Sequence, residues 1–349
     1  MVAQKHYTEI SASKGILIIL MVIGHSGAPQ WFAEPLGLLR MPCFFFISGF
    51  LFKEKYLNDI GTFITRKIKG LYIPFVKWSI TFLLLHNVFY HIGIYDNAYS
   101  ITDFKHKLFS IFTMTGSEQL LGGFWFLKEL LYASIISILI YKVITIFNKR
   151  LTIGVLITTS LLLTVCAYLL STAAFKIPTI GSKTLLATSY FTAGVAFHKA
   201  NMLFNNNKLL YGIVFFLIFI TSSNYIKGTM DIAGINIFPY FIVSIVASIA
   251  TIYLTKFINQ HITSMLDYIG KNTLYILIFH FLSFKIVSFL ILTYCDKPVT
   301  ELSSFPVIPN SSSFYWILYT IVGVAVPLGI KYVIDKCHFV LHCKRNANK

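Results

Sequence analysis

Apolar runs of about 20 residues recur along the whole chain. A helix needs about 20 apolar residues to cross the hydrocarbon core of a bilayer, and only helices and closed barrels satisfy their backbone hydrogen bonds there. The sequence therefore predicts an all-α integral membrane protein, a polytopic bundle of about ten transmembrane helices, with nine or eleven as alternatives. The runs cover residues 15–34, 37–53, 71–92, 124–146, 151–171, 183–200, 209–226, 236–255, 272–294 and 314–334.

The net charge of +16 follows from the membrane topology rather than from a nucleic-acid partner. Only 12% of the residues are charged, and the basic ones lie mostly in short segments between apolar runs. With the N-terminus inside, most of these segments are cytoplasmic, as the positive-inside rule requires. We therefore expect an N-in, C-in protein with an uncleaved first span, and residues 1–349 as a single membrane-embedded domain without a soluble one. Few basic residues remain outside: Arg40, Lys105, Lys107, Lys176, Lys183, Lys227 and Lys297.

Lys14 and His25 frame the first apolar run. Each helical residue advances about 100° and 1.5 Å, so eleven steps place both side chains on one face, about 16 Å apart along the axis. His25 then lies about halfway through a core of roughly 30 Å. An ionisable ring at that depth usually faces a cavity or a partner, which makes His25 a candidate catalytic residue. A structural histidine bonded to another helix is the alternative.

A basic cluster follows in "TRKIKGLYIPF". Arg66 and Lys69 are three residues apart and would face the same way on a helix, with Lys67 close by. Such a cluster can clamp phosphates, because arginine offers a planar fork and lysine a point charge. Ordinary positive-inside flanking or binding of lipid headgroups is the alternative.

Other polar residues interrupt the apolar runs. Arg40 in "RMPCFFFISGFLF" is costly near the membrane unless it lines a wet cavity or snorkels. Ser48 and Gly49 are small enough to let helices approach closely. Glu129 indicates a polar pocket, with an ion pair to its neighbour Lys128 as the alternative. The candidates for a substrate pocket are Arg40, Ser48, Trp125, Glu129 and His280.

These features together suggest a path from the inner surface to the middle of the membrane. A large anionic donor could rest its phosphates on the basic cluster and thread a narrow arm toward His25. Coenzyme A thioesters have that shape, with a long pantetheine arm. An acyl-CoA as the donor is therefore the hypothesis that this layout suggests.

At these residues the sequence resembles the acyltransferase-3 superfamily of bacterial membrane O-acyltransferases, most closely its fucose-4-O-acetylase-like branch. The family shows a basic residue, ten intervening residues and a histidine in its first span, which Lys14 and His25 match. Residues 41–49 match its MP-x-FFF-x-SG second span, and Arg66 with Lys69 matches its Arg-x-x-Arg-like motif. Two further segments look like family segments: "FWFL" at 124–127 and "GKNTLYILIFH" at 270–280.

The resemblance implies about ten spans in a bacterial cytoplasmic (inner) membrane and acyl transfer to a glycan hydroxyl. Acetyl-CoA would be the donor, and membrane lipids and the glycan acceptor the partners, with no metal. His25 would be the essential histidine, while Lys14, Arg66, Lys67 and Lys69 would bind the donor or shape the site. A succinyl group is an alternative to acetyl.

A neutral imidazole at His25 can take the proton of a sugar hydroxyl as it attacks the thioester. Ser26 or Ser48 could instead be an acylated nucleophile with His25 as its base. Both serines are more simply packing residues. The candidate donors to the tetrahedral oxyanion are Lys14, Arg40, Trp125 and backbone amides.

The sequence departs from the family pattern at two positions. Family members often have an aspartate three residues before the first basic residue, where this chain has Ser11. They often have a histidine before Met-Pro, where this chain has Arg40. An arginine there would favour an anionic acceptor.

Other protein classes fit the sequence less well. A transporter or polysaccharide exporter also carries intramembrane charges, but such proteins commonly show repeated halves, and we find no repeat. A membrane assembly subunit leaves the Lys14–His25 spacing unexplained. "CHFVLHC" at 337–343 has spacing compatible with a metal site, although an amphipathic basic tail explains it better.

Overall fold

The computed structural model describes residues 8–148, 150–173, 179–201, 207–231, 236–309 and 314–347, and within them the regular secondary structure is helical. The helices are α1 (Thr8–Ile23), α2 (Gln30–Leu36), α3 (Arg40–Phe50), α4 (Ile60–Lys67), α5 (Ile73–His91), α6 (Ile101–Phe112), α7 (Trp125–Asn148), α8 (Ile153–Thr172), α9 (Ser182–Asn201), α10 (Lys208–Ser223), α11 (Ile237–Thr255), α12 (Gln260–Lys271), α13 (Thr273–Tyr294) and α14 (Tyr315–Ala347). Short 3₁₀ segments are Glu54–Leu57, Gln119–Phe124 and Val299–Ser303, and Ile68–Tyr72 is a π-turn.

Six segments of the described chain are long and apolar enough to cross a membrane. The helix α10 is apolar but has 16 residues, and α9 carries many serines and threonines. The all-helical, multi-pass membrane architecture is confirmed, while the count of ten spans stays a prediction. The six segments are Ile60–His91, Gln119–Phe147, Ile153–Thr172, Ile237–Thr255, Thr273–Tyr294 and Tyr315–Cys337.

The first predicted span, 15–34, is not one helix. The helix α1 begins before that run and ends inside it, and residues 24–27 form a turn before α2. Gly27 adopts a φ of +80°, a left-handed conformation that glycine tolerates, and Pro29 cannot donate to a helical ladder. The turn itself is short, and the strongly apolar residues 16–23 dominate the hydropathy of the run, so hydropathy alone does not reveal the break.

The second predicted span, 37–53, contains α3, whose 11 residues are too few to cross a bilayer. Instead α3 lies inside the bundle in backbone contact with α9. A Cβ on Gly49 would lie 1.8 Å from the carbonyl oxygen of Phe191, and a Cβ on Gly194 would lie 1.9 Å from that of Phe46. The close helix approach predicted at Gly49 is confirmed. This packing holds the start of α3 beside the end of α1.

Candidate active site

A cavity of about 210 Å³ lies at the end of α1, where the chain turns toward α2. His25, Arg40 and Trp125 all line it, so three of the sequence candidates meet in one place. We call it the histidine cavity. Its complete lining is Met21, His25, Gly37, Arg40, Met41, Gly123, Trp125, Thr229, Met230, Asp231 and Leu277.

His25 stands in the turn after α1 rather than on the helix. The N–H of Gly24 still donates to the carbonyl of Leu20 (3.0 Å), but the N–H of His25 donates to that of Val22 (3.0 Å). The prediction that Lys14 and His25 lie on one continuous helix is therefore corrected, because α1 ends at Ile23 and His25 belongs to the turn that follows. The ring is half-buried, and its nitrogens have no hydrogen bond to the described residues.

Arg40 is the first residue of α3, and its guanidinium lies over Gly24. A Cβ on Gly24 would lie 1.2 Å from Nη1 of Arg40, so glycine leaves the room that the guanidinium occupies. Nη1 is buried and has no hydrogen-bond partner within the described part of the chain. Among those residues, Arg40 also forms no ion pair. Nearby acids pair with lysines instead: Asp231 with Lys183, and Glu34 with Lys227.

His280 lies on α13 behind His25 and is fully buried. The centroids of the two imidazole rings are 5.8 Å apart. Nδ1–H of His280 donates to the carbonyls of Ile276 (2.9 Å) and Leu277 (3.1 Å). Because a carbonyl can only accept, the proton is on Nδ1 and the lone pair on Nε2. His280 was predicted to line the substrate pocket, and the structure places it one layer behind the cavity wall.

Trp125 and Glu129 both belong to α7 but have different surroundings. Trp125 lines the histidine cavity, and Nζ of Lys183 lies 4.5 Å from its ring centroid, within cation–π distance. Glu129 is buried and accepts a 2.6 Å hydrogen bond from Oγ1 of Thr184 on α9. It therefore joins two helices outside the cavity wall, with Thr184 rather than Lys128 as its hydrogen-bond partner.

The two candidate serines donate to backbone carbonyls. Ser26 bonds the carbonyl of Ile23 (2.8 Å) and is buried, and it does not line the histidine cavity. Ser48 bonds the carbonyl of Phe44 (2.8 Å) within α3. Such local bonds are typical of hydroxyls packed in helices, so the geometry favours packing over a nucleophilic role.

Two more cavities continue from the histidine cavity toward the basic cluster. The first, of about 230 Å³, contains Lys14, and the second, of about 210 Å³, contains Arg66 and Lys67. Because neighbouring cavities share wall residues, the three form a row that ends at His25. The histidine cavity and the cavity with Lys14 share Met21, Met41 and Leu277, and the cavity with Lys14 shares Ser48 with the cavity at Arg66.

The basic cluster divides at the end of α4. Arg66 donates to the hydroxyl of Tyr56, and it lines a cavity together with Lys67. The π-turn Ile68–Tyr72 then replaces the regular helical spacing with bonds five residues apart. Lys69 is exposed and lines none of the three cavities, so its predicted place in the phosphate clamp beside Arg66 stays a prediction.

A model for an acyltransferase domain matches residues 7–332. The chain belongs to the acyltransferase-3 family. The family resemblance seen in the sequence is thereby confirmed, while the fucose-4-O-acetylase-like branch stays a prediction. No curated protein and no solved structure matches the chain. Membership of this family supports a membrane acyltransferase.

Sequence reasoning missed several residues of the site. Gly24 stood directly before His25 and could have been recognised as a site of close approach, whereas nothing in the sequence linked Asp231 or Lys183 to the histidine. Within the described residues, no group of three or more His, Cys, Asp or Glu residues could hold a metal ion. In the segment 337–343, the side chains from residue 338 onward lie outside the described ones.

Proposed function

We propose that this protein is a membrane O-acetyltransferase of a bacterial cytoplasmic membrane. It moves the acetyl group of cytoplasmic acetyl-CoA to a hydroxyl of a cell-surface or lipid-linked glycan. The row of three cavities from the basic cluster to His25 carries this proposal, because it joins an anion-binding surface to a histidine that is free to act as a base. Membership of the acyltransferase-3 family supports the class of reaction.

Donor binding begins at the basic cluster. The guanidinium of Arg66 and the ammonium of Lys67 hold the phosphates of coenzyme A by charge-assisted hydrogen bonds. The pantetheine arm passes Ser48 and Lys14 through the second cavity, whose wall is mostly apolar. This arrangement delivers the thioester to the histidine cavity and leaves the nucleotide outside.

Acyl transfer then uses His25 as the general base. Its imidazole takes the proton of the glycan hydroxyl as the oxygen attacks the thioester carbonyl. Collapse of the tetrahedral intermediate breaks the C–S bond, and the leaving thiolate takes the proton from His25. Of the candidate oxyanion donors, Arg40 is the best supported, because it is a cation in the same cavity without a carboxylate partner among the described residues. Lys14 lies in the neighbouring cavity.

The proposed N-in, C-in orientation with about ten spans places the basic cluster on the cytoplasmic side. Contacts gather other basic residues at the same end of the bundle: Lys199 pairs with Glu54, and Lys142 donates to the carbonyl of Leu57 (3.1 Å). This clustering of basic residues agrees with the positive-inside rule. In this orientation cytoplasmic acetyl-CoA has access to Arg66.

Transfer of radiolabelled acetyl from acetyl-CoA to cell-surface glycan tests the proposal in membranes that carry wild type or His25→Ala at matched expression. We expect label with wild type and a loss of about 10²–10⁴-fold with the variant. His106→Ala, an exposed histidine on α6, is the control and should keep full activity. Equal label with His25→Ala would remove the base from the mechanism, and no label above a deletion background would refute the acetyltransferase.

A further inference from the structure

His280 holds a buried hydrogen-bond acceptor that has no donor. Its Nε2 has no partner within the described residues, and its Nδ1–H is committed to two carbonyls of α13. Leaving a polar atom unpaired in the interior costs about 1–3 kcal/mol. The rings of Phe281 and Phe284 lie against the imidazole, so the surroundings are apolar. Such a group usually has a functional explanation.

His25 is the complementary group. A neutral imidazole carries one N–H, and the described residues offer neither nitrogen of His25 a hydrogen bond. The ring centroids of His25 and His280 are 5.8 Å apart. A ring nitrogen lies about 1.2 Å from its centroid, so nitrogens that face one another would lie about 3.4 Å apart, slightly beyond hydrogen-bond length. Catalytic hydrogen bonds are often long in unliganded sites and tighten when substrate binds.

We propose that His280 is the positioning residue for His25, an inference that rests on the proposed acetyltransferase function. Nε2 of His280 accepts the N–H of His25, which fixes both the tautomer and the direction of the ring. The other nitrogen of His25 then presents its lone pair to the cavity and to the acceptor hydroxyl. When that nitrogen takes the proton, His25 becomes an imidazolium that still donates to His280, and passing the proton to the leaving thiolate restores the starting state.

The position of His280 suits this role better than substrate binding. It does not line the histidine cavity, so it meets substrate only through His25. Its tautomer is set by main-chain carbonyls of its own helix rather than by a titratable group. An acceptor fixed in this way can orient the base without adding a charge beside Arg40.

Three variants at His280 and its neighbour Phe284 test the proposal by the same radiolabelled acetyl transfer. Wild type and His25→Ala give the highest and the lowest expected rates. His280→Phe keeps a ring but removes the acceptor, His280→Asn keeps an acceptor oxygen, and Phe284→Leu removes a neighbour of His280 that has no ring contact with His25. We expect His280→Phe to lower the maximal rate by about 10–100-fold with the KM for acetyl-CoA unchanged. His280→Asn should recover part of that rate, and Phe284→Leu should stay within about threefold of wild type. Detergent-solubilised variants are compared by size-exclusion chromatography so that rates refer to folded protein.

Three results would overturn the inference. One is a His280→Phe rate within about twofold of wild type, and another is a His280→Asn rate as low as that of His280→Phe. The third is a change in KM alone, which would make His280 a binding residue. If wild type transfers acetyl no faster than His25→Ala, the proposed function is refuted and this inference with it. That result differs from the three above, so failure of the function and failure of the inference alone are distinguishable.

Discussion

Two histidine clusters in the described part of this bundle differ in how their imidazoles are hydrogen-bonded. In the first, Nδ1 of His86 contacts Oε2 of Glu118 (2.7 Å) and Nε2 contacts the carbonyl oxygen of Asn97 (3.0 Å). Its ring is stacked between Tyr95 and Tyr99, with centroids 4.4 and 3.4 Å away. In the second, the rings of His25 and His280 are tilted by 36° with centroids 5.8 Å apart, and Nε2 of His280 has no partner within the described residues.

The difference separates a structural histidine from a chemical one. Every nitrogen of His86 is occupied, so the ring joins α5 to the segment before Gln119–Phe124, the turn that carries Gly123 into the histidine cavity. His25 faces a cavity with a free nitrogen, beside an arginine that also lacks a partner among the described residues. Burial alone does not mark a reactive group, whereas an unpaired polar atom next to a cavity does.

The largest effect is expected at Glu118, and on stability. Glu118→Ala leaves His86 without its acceptor in the interior, and breaking a buried pair costs about 3–5 kcal/mol. The free energy of unfolding in detergent measures this loss. Asp96→Asn, at an exposed acid in the loop between α5 and α6, should change it by less than about 0.5 kcal/mol. Similar values for the two variants would mean that the His86 cluster is not structural.

Arg40→Gln should lower the rate of acetyl transfer without lowering stability. It loses no hydrogen bond to the described residues, so we expect the unfolding temperature to stay the same or rise. The maximal rate of acetyl transfer should fall by about 10²–10³-fold, which corresponds to about 2.7–4 kcal/mol for one oxyanion donor. Arg40→Lys should retain an intermediate rate, because a point charge remains. A normal rate with a lower unfolding temperature would place Arg40 with the structural cluster.

Gly24→Ala should give the smallest of the three effects, and it tests whether the position of the Arg40 guanidinium matters for the rate. The backbone at Gly24 has no positive φ, so alanine is tolerated there, but its Cβ takes the place of Nη1. We expect a rate loss on the order of 10–100-fold from the displaced guanidinium. In an Arg40→Gln background the same change should cost little more, since the two act through one group.

The matched control for this prediction is Gly154→Ala on α8, where a Cβ meets no atom within 4 Å. It should leave the rate unchanged. Additive losses in the double variant would show that Gly24 acts independently of Arg40.

Much of the site was predictable because its motifs are local. The Lys14–His25 spacing, Arg66 with Lys67, and Arg40 beside Met-Pro each lie within one short stretch, and each contributes to the row of cavities. Lys69 lies in the π-turn after α4 and lines none of the three cavities, and no apolar pattern signals such a turn. Glu129 does not line the histidine cavity, because its carboxylate is bonded to Thr184. The sequence gives no sign that the helix of Thr184 packs against α7.

The sequence by itself determined a helical membrane protein of this family, because apolar run length and the spacing of charged residues act through local geometry. The tertiary structure alone decided which polar groups stay unpaired. His280 reaches His25 only because α13 packs behind the turn after α1, and Arg40 enters the cavity only because Gly24 has no side chain. Satisfaction of hydrogen bonds depends on neighbours from distant parts of the chain, and a linear pattern does not specify them.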